Sequence, residues 1–155
     1  MVISVAWRAQ GKAAVARAIL EDLPDWFGIP EAREGYVAEA GRLPMLTAEA
    51  EAGPVGFLCL RRQSQAAFEV VAMAVLRARH RQGCGRAMME AAAALAMEEG
   101  AGYLTVKTLA PMRPDEGYRR TRAFYDALGF VPLEIFPTLW GPEAPCLMML
   151  KPLGR

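Results

Sequence analysis

An almost uninterrupted apolar segment, Ala66–Leu76, constrains the fold more than any other feature of this sequence. Glu69 is its only charged residue, and a segment of this kind predicts a buried strand. A glycine-containing turn follows, and the alanine- and methionine-rich segment Arg86–Glu99 then predicts a helix, with Gly100 as its left-handed cap. The chain is therefore organised around a strand–turn–helix unit.

The rest of the chain divides into short strands and helices. Strands are predicted over Val2–Trp7, Pro44–Ala50, Val55–Arg62, Tyr103–Leu109, Val131–Leu139 and Cys146–Lys151. Helices are predicted over Lys12–Leu23, Glu31–Ala40, closed by Gly41, and Tyr118–Leu128, ended by Gly129, with a loop over Asp25–Pro30. This order is not a regular βαβ alternation, so it predicts an α/β fold with a mixed sheet and helices on its faces. The 155 residues fit one domain spanning 1–155.

Composition and charge exclude several classes of protein. The net charge of +1 gives no reason to expect a nucleic acid or a membrane surface as a partner. Three separated cysteines and a single histidine argue against a disulfide framework and against a metal site. Residues 1–8 lack the features of a signal peptide, and no apolar run approaches the roughly 20 residues that span a bilayer. We therefore expect a cytoplasmic protein without a metal.

The turn between the buried strand and its helix, Arg79–Arg86, has the features of an anion site. Gly83 and Gly85 allow a ligand to approach the backbone, and the first amides of the helix favour negative charge. Neighbouring arginines add positive charge, so the turn predicts a pyrophosphate cradle. Met88 stands where the Rossmann motif requires glycine or alanine, and the Walker lysine is absent. The alternative is an ordinary strand-to-helix turn with surface arginines.

Two motifs resemble those of the GCN5-related N-acetyltransferase (GNAT) superfamily. The turn is similar to motif A, Gln/Arg-x-x-Gly-x-Gly/Ala, with His80 in the first position and Gly83 and Gly85 in the small ones. Phe124–Phe130 looks like the family's "FYexLGF" segment, and the resemblance covers roughly Pro44–Lys151. It implies a GNAT fold: a central mixed, mostly antiparallel sheet of six to seven strands, splayed between the fourth and fifth, with about four flanking helices.

The resemblance also implies acetyl-CoA as co-substrate. The strand backbone at Met73, Ala74 and Val75 is expected to pair with the pantetheine arm, and an N–H near Met73 or Ala74 to serve as oxyanion donor. Tyr118 stands where many relatives carry an asparagine that contacts the cofactor arm. The pyrophosphate is expected to be held by Arg81, Gln82, Gly83, Cys84, Gly85, Arg86 and Ala87. Because a hydrophobic residue is usual at its position, we expect Cys84 to pack inward.

Two side chains are candidates for proton transfer. A carboxylate in a buried strand is unfavourable unless it is paired or reaches water, which marks Glu69 as a candidate base. The alternative is a glutamate near the strand's exposed start, paired with an arginine. Tyr125 is the candidate acid, because the resemblance implies this role and a tyrosine is protonated at neutral pH. The alternative for Tyr125 is a core aromatic.

The acceptor side is less defined. Trp26, Phe27, Tyr36 and Trp140 are candidates for an acceptor pocket, with core packing as the alternative, and Asp25, Glu31 and Glu34 could attract a cationic amine. The favoured function is transfer of an acetyl group from acetyl-CoA to a primary amine of a small molecule or peptide, by direct attack through a tetrahedral intermediate. The alternative is a catalytically weak or inactive acyl-CoA-binding sensor or interaction module. Pairing of edge strands near Cys146–Lys151 would allow a homodimer.

Overall fold

The computed structural model of the protein describes residues 3–154. Within that range the strands are β1 (Ser4–Arg8), β2 (Met45–Ala50), β3 (Gly53–Arg62), β4 (Ala67–Val75), β5 (Tyr103–Leu109), β6 (Val131–Phe136) and β7 (Cys146–Pro152). The helices are α1 (Lys12–Glu21), α2 (Pro24–Phe27), α3 (Pro30–Arg42), α4 (Cys84–Glu98) and α5 (Glu116–Ala127), with a 3₁₀ turn at Arg77–Arg79. Val2, the predicted start of the first strand, lies outside the described residues.

The strands form one sheet in the order β1-β2-β3-β4-β5-β7-β6. The pairs β1–β2, β2–β3, β5–β7 and β7–β6 are antiparallel. β4 and β5 run parallel, and they start together: the Ala66 carbonyl, just before β4, accepts hydrogen bonds from the Gly102 and Tyr103 amides at the start of β5. The prediction of a mixed, mostly antiparallel sheet of six to seven strands is confirmed.

The chain divides into two compact units. The first unit contains the chain up to Arg61 together with Val70–Leu95, and the second contains Arg62–Glu69 together with the chain from Ala96 onward. β4 and α4 each contribute residues to both units. Glu69 belongs to the second unit, whereas the end of β4 and the start of α4 belong to the first.

The first unit has a core formed by helices on strands. Helix α1 places Val15, Ala16, Ile19 and Leu20 on one buried face, at the i, i+1, i+4, i+5 spacing of an amphipathic helix. They pack in one cluster with residues of α3 and of β2–β4, namely Val37, Ala40, Met45, Phe57, Cys59 and Ala74. Burial of apolar surface of this kind is the main favourable contribution to folding.

The second unit is built on β5, β7 and β6. Leu104 and Val106 on β5 and Met149 on β7 are buried. Phe130, which follows the end of α5, is buried as well. β6 is the edge strand, and its residues are exposed up to Ile135, which leaves apolar side chains facing solvent.

Several boundaries differ from the prediction for local reasons. α1 ends at Glu21, two residues before the predicted end at Leu23. Pro24 then begins α2, because proline suits the first position of a helix. α3 continues through Gly41 to Arg42 and ends before Pro44, so Gly41 is not its cap. β6 ends at Phe136 because Pro137 lacks an amide for the strand ladder. Among the helices in residues 3–154, none has the length and apolar character needed to cross a bilayer.

Candidate active site

The turn that leads into α4, here named the phosphate loop (His80–Gly85), has an unusual backbone. Arg81 has φ +64° and Gly83 has φ +86°, both in the left-handed region. Glycine adopts this conformation without strain, whereas arginine rarely does. A Cβ added at Gly83 would meet nothing within 4 Å, so the surface beside this residue is open. Glycine is favoured here by the left-handed backbone conformation.

Helix α4 begins directly after this left-handed turn. It starts at Cys84, two residues before the predicted start, and the Ala87 amide donates to the Gly83 carbonyl at 3.0 Å as the first helical bond. Among the predicted pyrophosphate ligands, Ala87 therefore differs from the others, because its amide already donates to the Gly83 carbonyl. The amides of the first helical residues have no acceptor within their own helix. They are the donors that an anion at the phosphate loop would use.

The side chains of the phosphate loop separate into an exposed and a buried set. Arg81, Gln82 and Arg86 are exposed, and Gln82 donates to the Ala78 carbonyl at 3.2 Å. Cys84 is buried, as predicted, and burial raises the pKa of its thiol, with a smaller opposing effect from Arg79. A thiol that stays protonated is a poor nucleophile, so a nucleophilic role for Cys84 is disfavoured.

The backbone of β4 presents alternate residues to its two edges. The Leu76 amide donates to the Val55 carbonyl on β3 at 2.8 Å, so Leu76 and Ala74 direct their backbone groups toward β3. Gly56 on β3 lies against this point, since a Cβ added there would be 3.2 Å from the Ala74 carbonyl oxygen. Met73 and Val75 direct theirs to the opposite edge. Of the predicted pantetheine-pairing residues, Ala74 therefore faces β3, whereas Met73 and Val75 face the other edge, where the Val75 carbonyl oxygen lies 2.8 Å from His80 Nε2.

Glu69 is buried within the second unit. Its side chain is 6% exposed, and its carboxylate accepts a hydrogen bond from the Lys107 ammonium, with 2.7 Å between Oε2 and Nζ. Glu69 is buried rather than lying at an exposed strand start, and Lys107 is a partner of its carboxylate. The sequence signal was available, because Lys107 is the one charged residue of β5.

Tyr125 lies at the end of α5, in a backbone motif that explains the sequence Leu128-Gly129-Phe130. Gly129 adopts φ +96°, and the Phe130 amide turns back to donate to the Tyr125 carbonyl at 3.0 Å. This is a Schellman end to the helix. The Tyr125 ring is buried against Phe124 and Phe130, with centroids 5.7 and 5.5 Å away.

The start of α5 carries Tyr118. Asp115 is the N-cap, and its Oδ1 accepts from the Tyr118 amide at 3.0 Å, which moves the start of the helix to Glu116. An open pocket of about 400 Å³ adjoins this end of the helix. Its lining is Pro111, Pro114, Asp115, Glu116, Arg119 and Arg122. The predicted start at Tyr118 missed the capping signal of Asp115.

Three of the four aromatic residues predicted for the acceptor side come together in the first unit. Trp26, Phe27 and Tyr36 are partly buried against its core, and the Phe27 and Tyr36 rings meet edge-to-face at 5.5 Å. Trp140 is in the second unit and 42% exposed.

Two of the carboxylates considered for the acceptor side have partners of their own. Asp25 pairs with Arg77 at 3.2 Å, and Glu34 pairs with Arg17. Among the described residues, no group of three or more His, Cys, Asp and Glu side chains is arranged to hold a metal ion.

The comparisons with known proteins agree on one family. The model of the acetyltransferase (GNAT) domain matches residues 36–132, which is more than half of the chain. No curated protein matches the chain. Among solved structures, a GNAT-family protein from Desulfovibrio desulfuricans superposes with a TM-score of 0.79 at 17% identity, covering 97% of this chain and 100% of the other.

Two further solved structures are similar to this chain. The ribosomal-protein-S18-alanine N-acetyltransferase from Escherichia coli has a TM-score of 0.76 at 18% identity, covering 99% of this chain and 96% of the other. A GNAT acetyltransferase from Elizabethkingia anophelis, solved with acetyl-CoA bound, has a TM-score of 0.74 at 14% identity, covering 97% and 98%. At these identities the structures establish the fold, and with the family match they show that this chain belongs to the GNAT acetyltransferase family.

Proposed function

We propose that this protein transfers an acetyl group from acetyl-CoA to a primary amine of a small molecule or peptide. The observation that carries the proposal is the phosphate loop, in which left-handed Gly83 leaves an open surface directly at the start of α4. A helix N-terminus with an approachable backbone suits a pyrophosphate. Acetyl-CoA supplies this group together with the reactive thioester, and the Elizabethkingia relative was solved with acetyl-CoA bound.

The chain offers groups for two parts of the cofactor. The amides of Gln82, Gly83, Cys84, Gly85 and Arg86 would hold the pyrophosphate, with Arg81 and Arg86 adding positive charge. The Met73 backbone and the Val75 amide would pair with the pantetheine arm at the edge of β4 away from β3, because the Val75 carbonyl is engaged by His80. The Met73 amide is on that edge too, so it is the better oxyanion donor of the two considered. Tyr118 offers a hydroxyl where relatives carry an asparagine.

Proton removal from the amine is assigned to Glu69. The neutral amine then attacks the acetyl carbonyl and a C–N bond forms, the nitrogen releases its surplus proton to solvent, and the C–S bond to the cofactor breaks to leave a thiolate. Because the Glu69 carboxylate accepts a hydrogen bond from Lys107 at 2.7 Å, its charge is balanced until a proton arrives. An ordered water between the amine and Glu69 would relay the proton, so direct contact between the two groups is not required.

Protonation of the departing thiolate is assigned to Tyr125. Its position at a Schellman helix end, with the ring packed on Phe124 and Phe130, holds the phenol in one place. Fixed placement of a protonated group is what general acid catalysis requires.

We propose a primary amine as the acceptor. No nucleic acid and no membrane is proposed as a partner of the protein. Trp26, Phe27, Tyr36 and Trp140 remain candidates for its contacts. The Escherichia coli relative acts on an alanine of ribosomal protein S18, and a protein amine is accordingly one arm of the acceptor test. A homodimer also remains a prediction, but not through an edge at Cys146–Lys151, because β7 lies between β5 and β6.

One observation favours a second function, an acyl-CoA-binding sensor with little turnover. The candidate base, Glu69, is already neutralised by Lys107 within the described structure. The enzyme and the sensor share the cofactor site and differ only in whether acetyl transfer occurs. Binding and turnover measured on the same preparation therefore distinguish the two functions.

The experiment is a parallel calorimetric titration with acetyl-CoA, CoA and ATP, followed by thiol-release assays on a panel of small amines and peptides. We expect both CoA species to bind and ATP not to bind, with turnover for at least one amine. Binding without turnover on any amine would support the sensor. Absence of CoA binding would overturn both functions.

A further inference from the structure

His80 occupies the motif position where relatives carry glutamine or arginine, and its contacts give it a defined place in the first unit. The imidazole Nε2 is 2.8 Å from the carbonyl oxygen of Val75, five residues earlier at the end of β4. A ring nitrogen this close to a carbonyl oxygen must carry its hydrogen and donate it. The other side of the ring meets Trp26 edge-to-face, with 6.0 Å between centroids.

The turn between Val75 and His80 is also held from the side of α2. The Arg77 amide donates to Asp22 Oδ2 at 2.7 Å, and the guanidinium pairs with Asp25 at 3.2 Å. The same guanidinium lies over the Trp26 ring, 5.6 Å from its centroid. The exposed ion pair contributes little, whereas the hydrogen bonds to main-chain groups fix the backbone of the turn.

The residue after His80 shows why the turn needs such support. Arg81 adopts φ +64°, a left-handed conformation that costs a non-glycine residue about 1–2 kcal/mol. A strained conformation persists only when the surrounding structure holds it. His80 is the last residue before Arg81 and is tied to both Val75 and Trp26, so it is placed to do this.

We propose that His80 is a positioning residue that holds the phosphate loop in its binding conformation by joining it to the Val75 carbonyl and to Trp26. The proposal rests on the proposed function, because it assumes that the loop receives the pyrophosphate of acetyl-CoA. A loop that is ordered before binding loses less conformational entropy when the ligand arrives. His80 therefore acts on cofactor affinity through the backbone of the loop, without touching the reacting atoms.

The test compares His80→Ala with His80→Gln. The glutamine amide can donate to the Val75 carbonyl, whereas alanine cannot. We expect His80→Ala to raise the Kd for acetyl-CoA about five- to tenfold, the loss typical of one hydrogen bond to a fixed group, and His80→Gln to recover most of it. In turnover, the KM for acetyl-CoA rises in parallel, and kcat at saturating cofactor stays within about twofold because neither Glu69 nor Tyr125 changes.

S-acetylpantetheine, which lacks the pyrophosphate, locates the effect. His80→Ala should weaken its binding less than that of acetyl-CoA, and equal losses would overturn the role at the phosphate loop. Glu51→Ala, in the exposed turn between β2 and β3, serves as the control and should bind like the wild type.

The remaining outcomes are separable. A wild type that does not bind acetyl-CoA would overturn the proposed function itself. A wild type that binds, with His80→Ala binding equally well, would overturn only the role of His80. A His80→Ala variant that loses affinity together with thermal stability, and that His80→Gln does not rescue, would assign His80 to folding and also overturn the proposal.

Discussion

The carboxylate of Glu69 on β4 accepts a hydrogen bond from Lys107 Nζ on the parallel strand β5 at 2.7 Å, and both residues belong to the second unit. Glu69 is the more buried partner, with 6% of its side chain exposed against 21% for Lys107. A buried charge is tolerated when a partner of opposite charge is fixed beside it. The pair therefore balances the one charge that the apolar strand β4 contains.

Removing only the lysine should destabilise the protein. We expect Lys107→Met to lower the free energy of unfolding by about 1–3 kcal/mol, because it leaves the Glu69 carboxylate without its ammonium partner. The double variant Glu69→Gln/Lys107→Met should be more stable than Lys107→Met alone. Urea denaturation of the wild type, Glu69→Gln, Lys107→Met and the double variant gives the coupling energy, and additive effects of the two substitutions would show that the ion pair contributes nothing.

Loss of the Tyr125 hydroxyl should affect chemistry more than binding. We expect Tyr125→Phe to lower kcat by about 10²-fold or more, as for removal of a general acid, while the Kd for acetyl-CoA changes by less than about twofold. Phenylalanine preserves the packing on Phe124 and Phe130. The measurements are thiol release under saturating acetyl-CoA and calorimetric titration. Comparable losses in kcat and affinity would assign Tyr125 to structure.

Two glycines with nearly the same backbone conformation provide a matched test of the phosphate loop. Gly83 has φ +86° and Gly100 has φ +85°, and an added Cβ at either would meet nothing within 4 Å. Gly83→Ala and Gly100→Ala should each lower stability by about 1 kcal/mol through backbone strain. Only Gly83→Ala should also weaken acetyl-CoA binding. The same affinity for both variants would mean that Gly83 is not at the cofactor site.

Burial raises the pKa of the Cys59 thiol from an ordinary 9.0 to about 12, with Lys12 opposing and Glu39 adding to the shift. The folded state therefore holds this proton more tightly than the unfolded state does. The resulting stability is fully present below pH 9 and is lost as pH rises toward 12. Between these values we expect Cys59→Ala to lose stability less steeply than the wild type, by up to about 1.4 kcal/mol per pH unit.

This prediction is checked by urea denaturation from pH 7 to 10.5, where the other titrating groups are common to both proteins. Parallel pH profiles for the wild type and Cys59→Ala would contradict it. A thiol held in its protonated form should also react slowly with alkylating reagents until the protein unfolds.

The strands, the longer helices and their order could be predicted from the amino-acid sequence, whereas the short helix α2 was predicted as a loop. Apolar periodicity located all seven strands and the three longer helices besides α4, because burial of one face or stripe leaves a direct trace in the pattern. The left-handed glycines Gly100 and Gly129 were readable for the same local reason, since only glycine ends a helix in this conformation without strain. The family resemblance also followed from local motifs, Gly83-Cys84-Gly85 and Leu128-Gly129-Phe130.

The contacts between side chains that lie far apart in the chain could not be predicted in this way. Lys107 stands out in the sequence as the one charged residue of β5, but only the parallel pairing of β4 and β5 shows that its partner is Glu69. His80 departs from the motif, and its contacts with the Val75 carbonyl and the Trp26 ring are visible only in the structure. The Ala74 backbone faces β3 rather than the opposite edge of β4, and this orientation depends on strand register. Contacts between residues far apart in the chain are set by packing and register, and a pattern in a single sequence carries no direct record of them.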